Sequence, residues 1–326
     1  MKKLITGING FGRFGLHLLK YWLEREKNSN FTIDYINDEN LNIDQIFSII
    51  TNDKYCKFHK SKFFKEKNKI IIKLPYGKEY LIEFTNSKDS NITWLTKVDY
   101  LLECSGKNTD KKSYKKFLIN KKIKILISAT SWDCDQTIIY GFNHTKIQNK
   151  SRVLSYGSCT VNAYVPLADC LNKIYKILDS DVNVIHNIQN YKLKNYNTLT
   201  RKFCTLEKSG LNLLNFLNSK NFNVNYTIIP YDGVSIMDFR FNLKQKINSE
   251  AFLKVLKKEI KNGSLQNIYN TVKVDTGPEV HKFTTSSAVI IESSIEIKKN
   301  NIYFSSYFDN ENSVNRYYDL INFISK

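Results

Sequence analysis

The chain lacks the long apolar run that a membrane-spanning helix needs. Such a helix requires about 20 consecutive apolar residues, and no segment of the 326 residues approaches that length. The apolar run at the N-terminus ends at Thr6 and is too short for the core of a secretory signal. With 42% hydrophobic residues, the composition predicts a globular, cytoplasmic protein with room for two domains of ordinary size.

The cysteines show neither C-x-x-C spacing nor clustering with histidine. Zinc sites and dithiol redox motifs are typically built on those patterns, so the sequence predicts no metal site and six reduced thiols. The six are Cys56, Cys104, Cys134, Cys159, Cys170 and Cys204.

Arginine-rich stripes are also missing, although the formal net charge of +18 could indicate a nucleic acid or another acidic partner. The lysines are scattered along the chain, which is a weak electrostatic footprint. A general drift of the composition toward Lys, Asn and Ile explains the charge equally well. We therefore do not expect nucleic acid to be the primary partner.

The chain does contain a short apolar strand pattern that leads into a glycine-rich turn and then into a helical pattern. Gly10, Gly12 and Gly15 form the G-x-G-x-x-G fingerprint. Its glycines permit a tight turn, close approach of a pyrophosphate and tight packing of the helix on the strand. The N–H groups at the helix start then bind the phosphates. This pattern predicts a Rossmann-type dinucleotide-binding domain.

A second strand pattern, from Phe31 to Ile36, leads to Asp38. At this spacing Asp38 can accept hydrogen bonds from the adenosine ribose, and its charge would repel a 2′-phosphate, which favours NAD over NADP. A role as a turn residue or helix cap is the alternative for Asp38. Another strand pattern ends at Ser105 and Gly106, which we expect near the cofactor because loops at carboxyl ends of parallel strands line the crevice.

A cysteine between hydroxyl residues marks the point where a loop is predicted to become a helix, at Ser158, Cys159 and Thr160. N–H groups and the positive dipole end at a helix start favour an anion, so we expect a lowered thiol pKa and a reactive thiolate. A buried structural cysteine is the alternative. The apolar stripe that predicts the helix is Leu167, Leu171, Ile174 and Leu178. A further strand is predicted at Ile138 to Phe142.

Together these motifs resemble the glyceraldehyde-3-phosphate dehydrogenase family. Residues 7–15 are similar to the family's opening GINGFGRIG, and residues 158–162 to its catalytic SCTTN. Further anchors follow the family's order at residues 36–38, 103–106, 128–131, 141–144, 234–238 and 309–316. The resemblance implies a divergent member with an α/β fold, in which an NAD-binding domain (1–157) precedes an α+β catalytic domain with a mainly antiparallel sheet (158–305). A C-terminal helix (306–326) would return to the first domain.

The resemblance also implies the chemistry. Cys159 would be the nucleophile and His186 its base, although the apolar sequence around His186, taken without the resemblance, favours a structural histidine. A Cys/His ion pair would keep the sulfur as a thiolate, and the imidazolium would donate to the oxyanion formed by attack on an aldehyde. Inorganic phosphate would release the resulting thioester as an acyl phosphate. The residues implied to bind NAD are Gly10, Phe11, Gly12, Arg13, Phe14, Asp38, Ser105, Gly106, Ser128 and Asn310.

The sequence departs from the family between His186 and Pro230. The family binds the substrate's phosphate with a Thr and an Arg, which align with Gln189 and Ile228. Isoleucine offers no donor in place of a bidentate guanidinium. The residues that occupy the phosphate and substrate positions are Ser158, Thr160, Gln189, Ser209 and Gly210. The cations that could supply the missing charge, or could be solvated surface residues, are Lys192, Lys194, Arg201 and Lys202.

Three functions remain open. The first is NAD-dependent phosphorylating oxidation of glyceraldehyde 3-phosphate, carried out by a homotetramer. The second is the same chemistry on a different aldehyde, because Ile228 replaces the phosphate-binding arginine. The third is a cofactor-binding pseudoenzyme with a binding or regulatory role.

Overall fold

The computed structural model describes residues 3–119, 122–188, 200–231 and 233–326. The chain divides into two compact units. Unit 1 comprises residues 1–138, 145–157 and 317–326, and unit 2 comprises residues 139–144 and 158–316. Within the described ranges, no helix is long and apolar enough to cross a membrane.

Unit 1 is built on a sheet of nine strands. The strands are β1 Leu4–Asn9, β2 Phe31–Asn37, β3 Lys62–Glu66, β4 Lys69–Lys73, β5 Glu79–Thr85, β6 Tyr100–Glu103, β7 Lys124–Ile127, β8 Gln136–Thr137 and β9 Val153–Ser155. The helices are α1 Arg13–Glu24, α2 Ile43–Asn52 and α3 Lys111–Tyr114. The strand order is β3-β4-β5-β2-β1-β6-β7-β9-β8. Along this order, every pairing from β5 through β2, β1, β6, β7 and β9 to β8 is parallel. This is the predicted Rossmann-type architecture.

Unit 2 is built on a second, eight-stranded sheet. The strands are β10 Ile177–Ile188, β11 Thr200–Arg201, β12 Phe222–Pro230, β13 Ser235–Leu243, β14 Tyr269–Val272, β15 Ala288–Ile291, β16 Glu296–Lys298 and β17 Asn301–Phe308. The helices are α4 Cys159–Tyr175, α5 Thr205–Leu213 and α6 Ser249–Asn262, together with residues 310–316 of α7 Asn310–Ile324, whose remaining residues belong to unit 1. The order is β11-β12-β10-β13-β17-β15-β14, with β16 on β17. Most neighbouring strands pair antiparallel, as predicted.

The residues of β13 alternate between buried and partly exposed, and the buried ones pack with α4 in the core of unit 2. Every second residue of this strand is buried, as expected for a strand with one face on a core. Phe239 and Phe241 stack on each other and on Phe304, with ring centroids 4.9–6.0 Å apart, and Tyr164 of α4 stacks on the same group. These rings fix α4, and therefore Cys159 at its first position.

Two sequence predictions about elements are wrong. Residues 138–142 form no strand; Gly141 has a φ of +86°, and a Cβ there would lie 1.9 Å from Cδ1 of Ile268, so this turn packs into unit 2. The apolar stripe also overruns its helix. Lys176 has a φ of +60° and ends α4, which leaves Leu178 exposed on β10.

Candidate active site

The glycine turn joins β1 to α1 and leaves the start of the helix open. Gly10 has a φ of +89°, and a Cβ there would lie 2.4 Å from Cα of Ser105, so the turn requires glycine. At Gly12, by contrast, a Cβ would meet no atom of the described residues within 4 Å. Gly12 caps α1 without a side-chain hydrogen bond, which leaves the first N–H groups of the helix available to an anion. The turn therefore fits a pyrophosphate.

Asp38 directly follows β2 beside this turn. Its Oδ2 accepts from the N–H of Phe11 at 2.8 Å, and its Oδ1 accepts from the N–H groups of Asn40 and Leu41 at 2.9 and 3.1 Å. The turn role that the sequence left open is therefore observed. A carboxylate has about four lone-pair sites, so one site on Oδ2 remains for a ribose hydroxyl.

A cavity of about 170 Å³ brings several predicted cofactor residues together. Its lining is Asn9, Gly10, Gly12, Asp38, Glu39, Asn40, Asp89, Cys104, Ser105 and Lys107. The carboxylates on this wall disfavour an additional phosphate on the ribose, in agreement with NAD. Ser105 donates its N–H to Oε1 of buried Glu103 at 2.9 Å, and Gly106 follows it at a φ of +72°. Ser128 follows β7 and donates its N–H to the Glu103 carbonyl at 2.9 Å.

Arg13 and Phe14 open α1, but both side chains are engaged within unit 1. Nη1 of Arg13 lies 2.5 Å from Oδ2 of Asp53. The Phe14 ring packs edge-on against Tyr156 and Tyr317, with centroids 5.5 and 5.1 Å apart. For both residues the backbone N–H, rather than the side chain, fits a role in phosphate binding.

In unit 2, Cys159 begins α4. The preceding Ser158 has an extended backbone, and its hydroxyl accepts from the Val161 N–H at 3.4 Å, which caps the helix. The cysteine is 6% exposed. Its Sγ lies 3.4 Å from Nε2 of His186, near the end of β10. The structure thus brings the predicted nucleophile and base into contact.

Asn187 orients the imidazole of His186. Nδ1 lies 2.7 Å from the carbonyl oxygen of Asn187, and a carbonyl can only accept, so Nδ1 carries the proton and Nε2 is left as an acceptor facing the thiol. Ser235 holds Asn187 in turn, accepting its N–H at 3.1 Å and donating to its Oδ1 at 2.8 Å. This is the arrangement of nucleophile, base and orienting group.

Burial of Cys159 and His186 opposes the predicted ion pair. Burial raises the pKa of the Cys159 thiol, Cys204 and Asp309 add to that effect, and the N–H groups at the helix start oppose it only in part. Burial also lowers the pKa of His186. Both directions favour a neutral thiol beside a neutral imidazole over the ion pair. The helix-start argument failed because it is local, whereas desolvation depends on the whole tertiary environment.

Hydroxyl groups from two helix starts meet beside the cysteine. Oγ of Ser158 lies 3.0 Å from Oγ1 of Thr160 and 3.0 Å from Oγ1 of Thr205, the first residue of α5. We call these three residues the hydroxyl cluster. Helix α5 begins without a side-chain cap, and the buried hydroxyl of Ser209 has no partner among the described residues. Donors gathered at two positive helix ends suit an anion such as inorganic phosphate.

Sequence reasoning missed Thr205 and Tyr226. Thr205 is 47 positions from Ser158, so no local motif links the two residues. The Tyr226 ring lies with its centroid 5.7 Å from the His186 ring, and only the pairing of β10 with β12 reveals it. In that register His186 is opposite Ile228. The cross-strand neighbour of His186 is therefore apolar.

The other predicted residues lie apart from these contacts or outside the described ranges. Gly210 packs against Phe222, and a Cβ there would lie 2.7 Å from the ring. Asn310 begins α7 and is exposed. Gln189, predicted for the substrate's phosphate, lies outside the described residues. Within the described ranges all six cysteines are free, and no cluster of three His, Cys, Asp or Glu residues could hold a metal ion.

Comparison with known proteins gives consistent matches. Residues 4–111 match the family model described as the NAD binding domain of glyceraldehyde 3-phosphate dehydrogenase. The whole chain is similar to a glyceraldehyde-3-phosphate dehydrogenase of Atriplex nummularia (25% identical, 93% of that protein covered) and to glyceraldehyde-3-phosphate dehydrogenase 4 of Caenorhabditis elegans (25%, 99% covered). A cytosolic form from Mesembryanthemum crystallinum is 24% identical, with 99% covered. The chain is thus similar over its whole length to glyceraldehyde-3-phosphate dehydrogenases, and NAD is the cofactor of its N-terminal domain.

Proposed function

We propose that the protein catalyses the NAD-dependent, phosphorylating oxidation of glyceraldehyde 3-phosphate to an acyl phosphate through Cys159. The observation that carries this proposal is the 3.4 Å contact between Sγ of Cys159 and Nε2 of His186 at the start of α4. A thiol beside an unprotonated, oriented imidazole nitrogen is a nucleophile with its base. The similarity to named dehydrogenases supports the choice of substrate.

His186 moves one proton during the oxidation. As sulfur attacks the aldehyde carbon, Nε2 takes the thiol proton and then donates it to the carbonyl oxygen, which gives a neutral thiohemiacetal on Cys159. When bound, NAD supplies the acceptor for the hydride that leaves this carbon. Nε2 removes the hydroxyl proton in the same step, and a thioester forms. The Asn187 carbonyl keeps the imidazole in one tautomer throughout.

The hydroxyl cluster and Ser209 bind the inorganic phosphate. A phosphate oxygen attacks the thioester carbon, the C–S bond breaks, and the imidazolium of His186 returns its proton to sulfur. The acyl phosphate leaves, and the neutral Cys159 and His186 pair is restored. The uncapped start of α5 and the partnerless Ser209 hydroxyl support this assignment.

The test is NADH formation by the purified protein with glyceraldehyde 3-phosphate, in the presence and absence of inorganic phosphate. Sustained turnover that requires phosphate is expected, with no turnover for Cys159→Ser. Turnover that does not depend on phosphate would overturn the phosphorylating step. NAD binding without oxidation of any aldehyde would instead favour the pseudoenzyme.

A second candidate is the same chemistry on an unphosphorylated aldehyde. It is favoured by the apolar Ile228 opposite His186. A higher kcat/KM for glyceraldehyde than for glyceraldehyde 3-phosphate would select it.

We also propose a cytoplasmic homotetramer, on the basis of the family resemblance and the cytosolic relative. Light scattering should then give four times the chain mass of 38.1 kDa. A measured mass equal to that of one chain would contradict the tetramer.

A further inference from the structure

An extended segment, residues 200–204, runs along the outer side of β12. Thr200 pairs with Ile228 and Arg201 with Thr227. The pairing continues beyond β11, because the N–H of Lys202 donates to the Tyr226 carbonyl at 3.3 Å. Cys204 still has extended backbone angles, with φ −100° and ψ 131°. Side chains therefore alternate between two faces along the whole segment.

Arg201 and Phe203 lie on the face away from the thiol. Nη1 of Arg201 donates to Oδ1 of Asn225 at 3.2 Å, and Asn225 and Thr227 share one face of β12. Phe203 is 61% exposed. Arg201 is therefore oriented away from the site, although the sequence offered it as a replacement for the family's arginine.

Lys202 and Cys204 lie on the opposite face, which leads to the active site. Cys204 is buried, and its Sγ lies 3.8 Å from Oγ1 of Thr160 in the hydroxyl cluster. Lys202 is cross-strand from Tyr226, whose ring lies beside His186. Residues that oppose each other across a sheet share a face. Lys202 therefore projects on the same side as the catalytic pair.

The ammonium of Lys202 is a suitable replacement for the missing guanidinium. Ile228 lies two positions from Tyr226, on the same face, and offers no donor. Of the described residues in 200–204 and β12, Lys202 is the cation on this face. The side chain is exposed, so its long stem can follow an anionic group as a solvated point charge with three donors.

Resting on the proposed function, we propose that Lys202 determines substrate specificity by binding the phosphate monoester of the aldehyde. A single ammonium lacks the bidentate geometry of arginine, so the phosphate is held mainly by charge. Binding is consequently weakened by added salt, because an exposed charge is screened within about 8 Å at physiological ionic strength.

The experiment compares the wild type, Lys202→Ala, Lys202→Arg and the matched control Arg201→Ala, which removes the same charge one residue away on the other face. KM and kcat are measured with glyceraldehyde 3-phosphate and with glyceraldehyde. For Lys202→Ala the KM for the phosphorylated aldehyde should rise about tenfold or more with little change in kcat. Kinetics with glyceraldehyde should stay the same. Lys202→Arg should restore the KM, and Arg201→Ala should resemble the wild type.

Calorimetry with glycerol 3-phosphate, which cannot be oxidised, separates this inference from the proposed function. If the wild type forms no NADH but Lys202→Ala weakens glycerol 3-phosphate binding about tenfold, the proposed function fails and the role of Lys202 stands. Equal dissociation constants for the wild type and Lys202→Ala, or an equal loss in Arg201→Ala, would overturn the role of Lys202.

Discussion

The starts of α1 and α4 are two helix N-termini that solve different problems. Gly12 opens α1 without a side-chain cap, and among the described residues no atom lies within 4 Å of a Cβ placed there. Ser158 caps α4, and the next residue is a buried thiol. An uncapped start leaves N–H groups for a ligand's phosphates, whereas a capped start satisfies an N–H internally and holds a side chain in place. The first helix start therefore suits binding, and the second suits positioning a nucleophile.

The comparison also shows that burial has a larger effect than the helix dipole on the pKa of a side chain at a helix start. Both starts carry the same partial positive charge, but only α4 places an ionisable group there in a dry environment. Burial raises the pKa of Cys159 in spite of the helix start. The consequence is a thiol that depends on its neighbour His186 for activation.

Replacing the nucleophile should separate the two helix starts most strongly. Cys159→Ser should lower kcat by more than about a thousandfold, because a serine hydroxyl is a far weaker nucleophile in a site built for sulfur. NAD affinity should remain unchanged, since the glycine turn is untouched. Steady-state rates and calorimetric NAD titration check both points. Comparable residual activity in Cys159→Ser would show that another group performs the chemistry.

Removing the base should have the next largest effect. His186→Asn should lower kcat about 10²- to 10⁴-fold, the usual range for a general base. The pH profile gives an independent check. Burial lowers the pKa of His186, so the wild type should keep its unprotonated base, and its activity, below the ordinary histidine value of about 6.5. Loss of activity centred above that value would contradict the neutral pair.

Alkylation by iodoacetamide reports the protonation of the thiol at α4 directly. Because burial raises the pKa of Cys159, the thiolate fraction should grow about tenfold for each pH unit, which is about a hundredfold between pH 6 and 8. Mass spectrometry of the Cys159 peptide over time gives the rate. A fast rate that is constant over this range would indicate a preformed thiolate–imidazolium pair.

Filling the open space at α1 tests the cofactor side. Gly12→Ala should weaken NAD binding at least about tenfold, or about 1.4 kcal/mol, because the methyl group occupies the path of the pyrophosphate. Stability should hardly change, since no atom in the described part of the chain lies within 4 Å of the new Cβ. Gly10→Ala is the contrasting variant and should lower the melting temperature. Unchanged NAD affinity in Gly12→Ala would place the pyrophosphate elsewhere.

Removing the cap of α4 should have a small effect on stability, apart from the loss of the Ser158 hydroxyl that is proposed to bind phosphate. Ser158→Ala should lower the free energy of unfolding by about 1 kcal/mol, the usual value of an N-cap, as measured by denaturant unfolding. Gly12→Ala at the uncapped start serves as the control. An equal cost at both positions would remove the distinction between the two helix starts.

The glycine turn could be predicted because a backbone requirement leaves its mark on the sequence. Gly10 needs a positive φ, so the motif itself records the geometry of the turn. Cys159 and His186 could be found through a motif and a resemblance. In these cases the informative residues are close together or belong to a known pattern.

The rest of the site depends on strand register, which no short segment of sequence reveals. The packing of α5 brings Thr205 into contact with Ser158. The pairing of β11 with β12 decides which faces Arg201 and Lys202 occupy. The sequence offered Arg201 and Lys202 as equals, although adjacent residues of an extended chain point to opposite faces. The pKa of Cys159 was mispredicted for a similar reason, because burial is a tertiary property.

The most direct test of the central claim is the mass of the Cys159 peptide after the protein is mixed with NAD and glyceraldehyde 3-phosphate without inorganic phosphate and quenched in acid. The account predicts an acyl group on Cys159, formed in equal amount with NADH and released when phosphate is added. An unmodified Cys159 in the presence of NADH, or an acyl group on another residue, would contradict it.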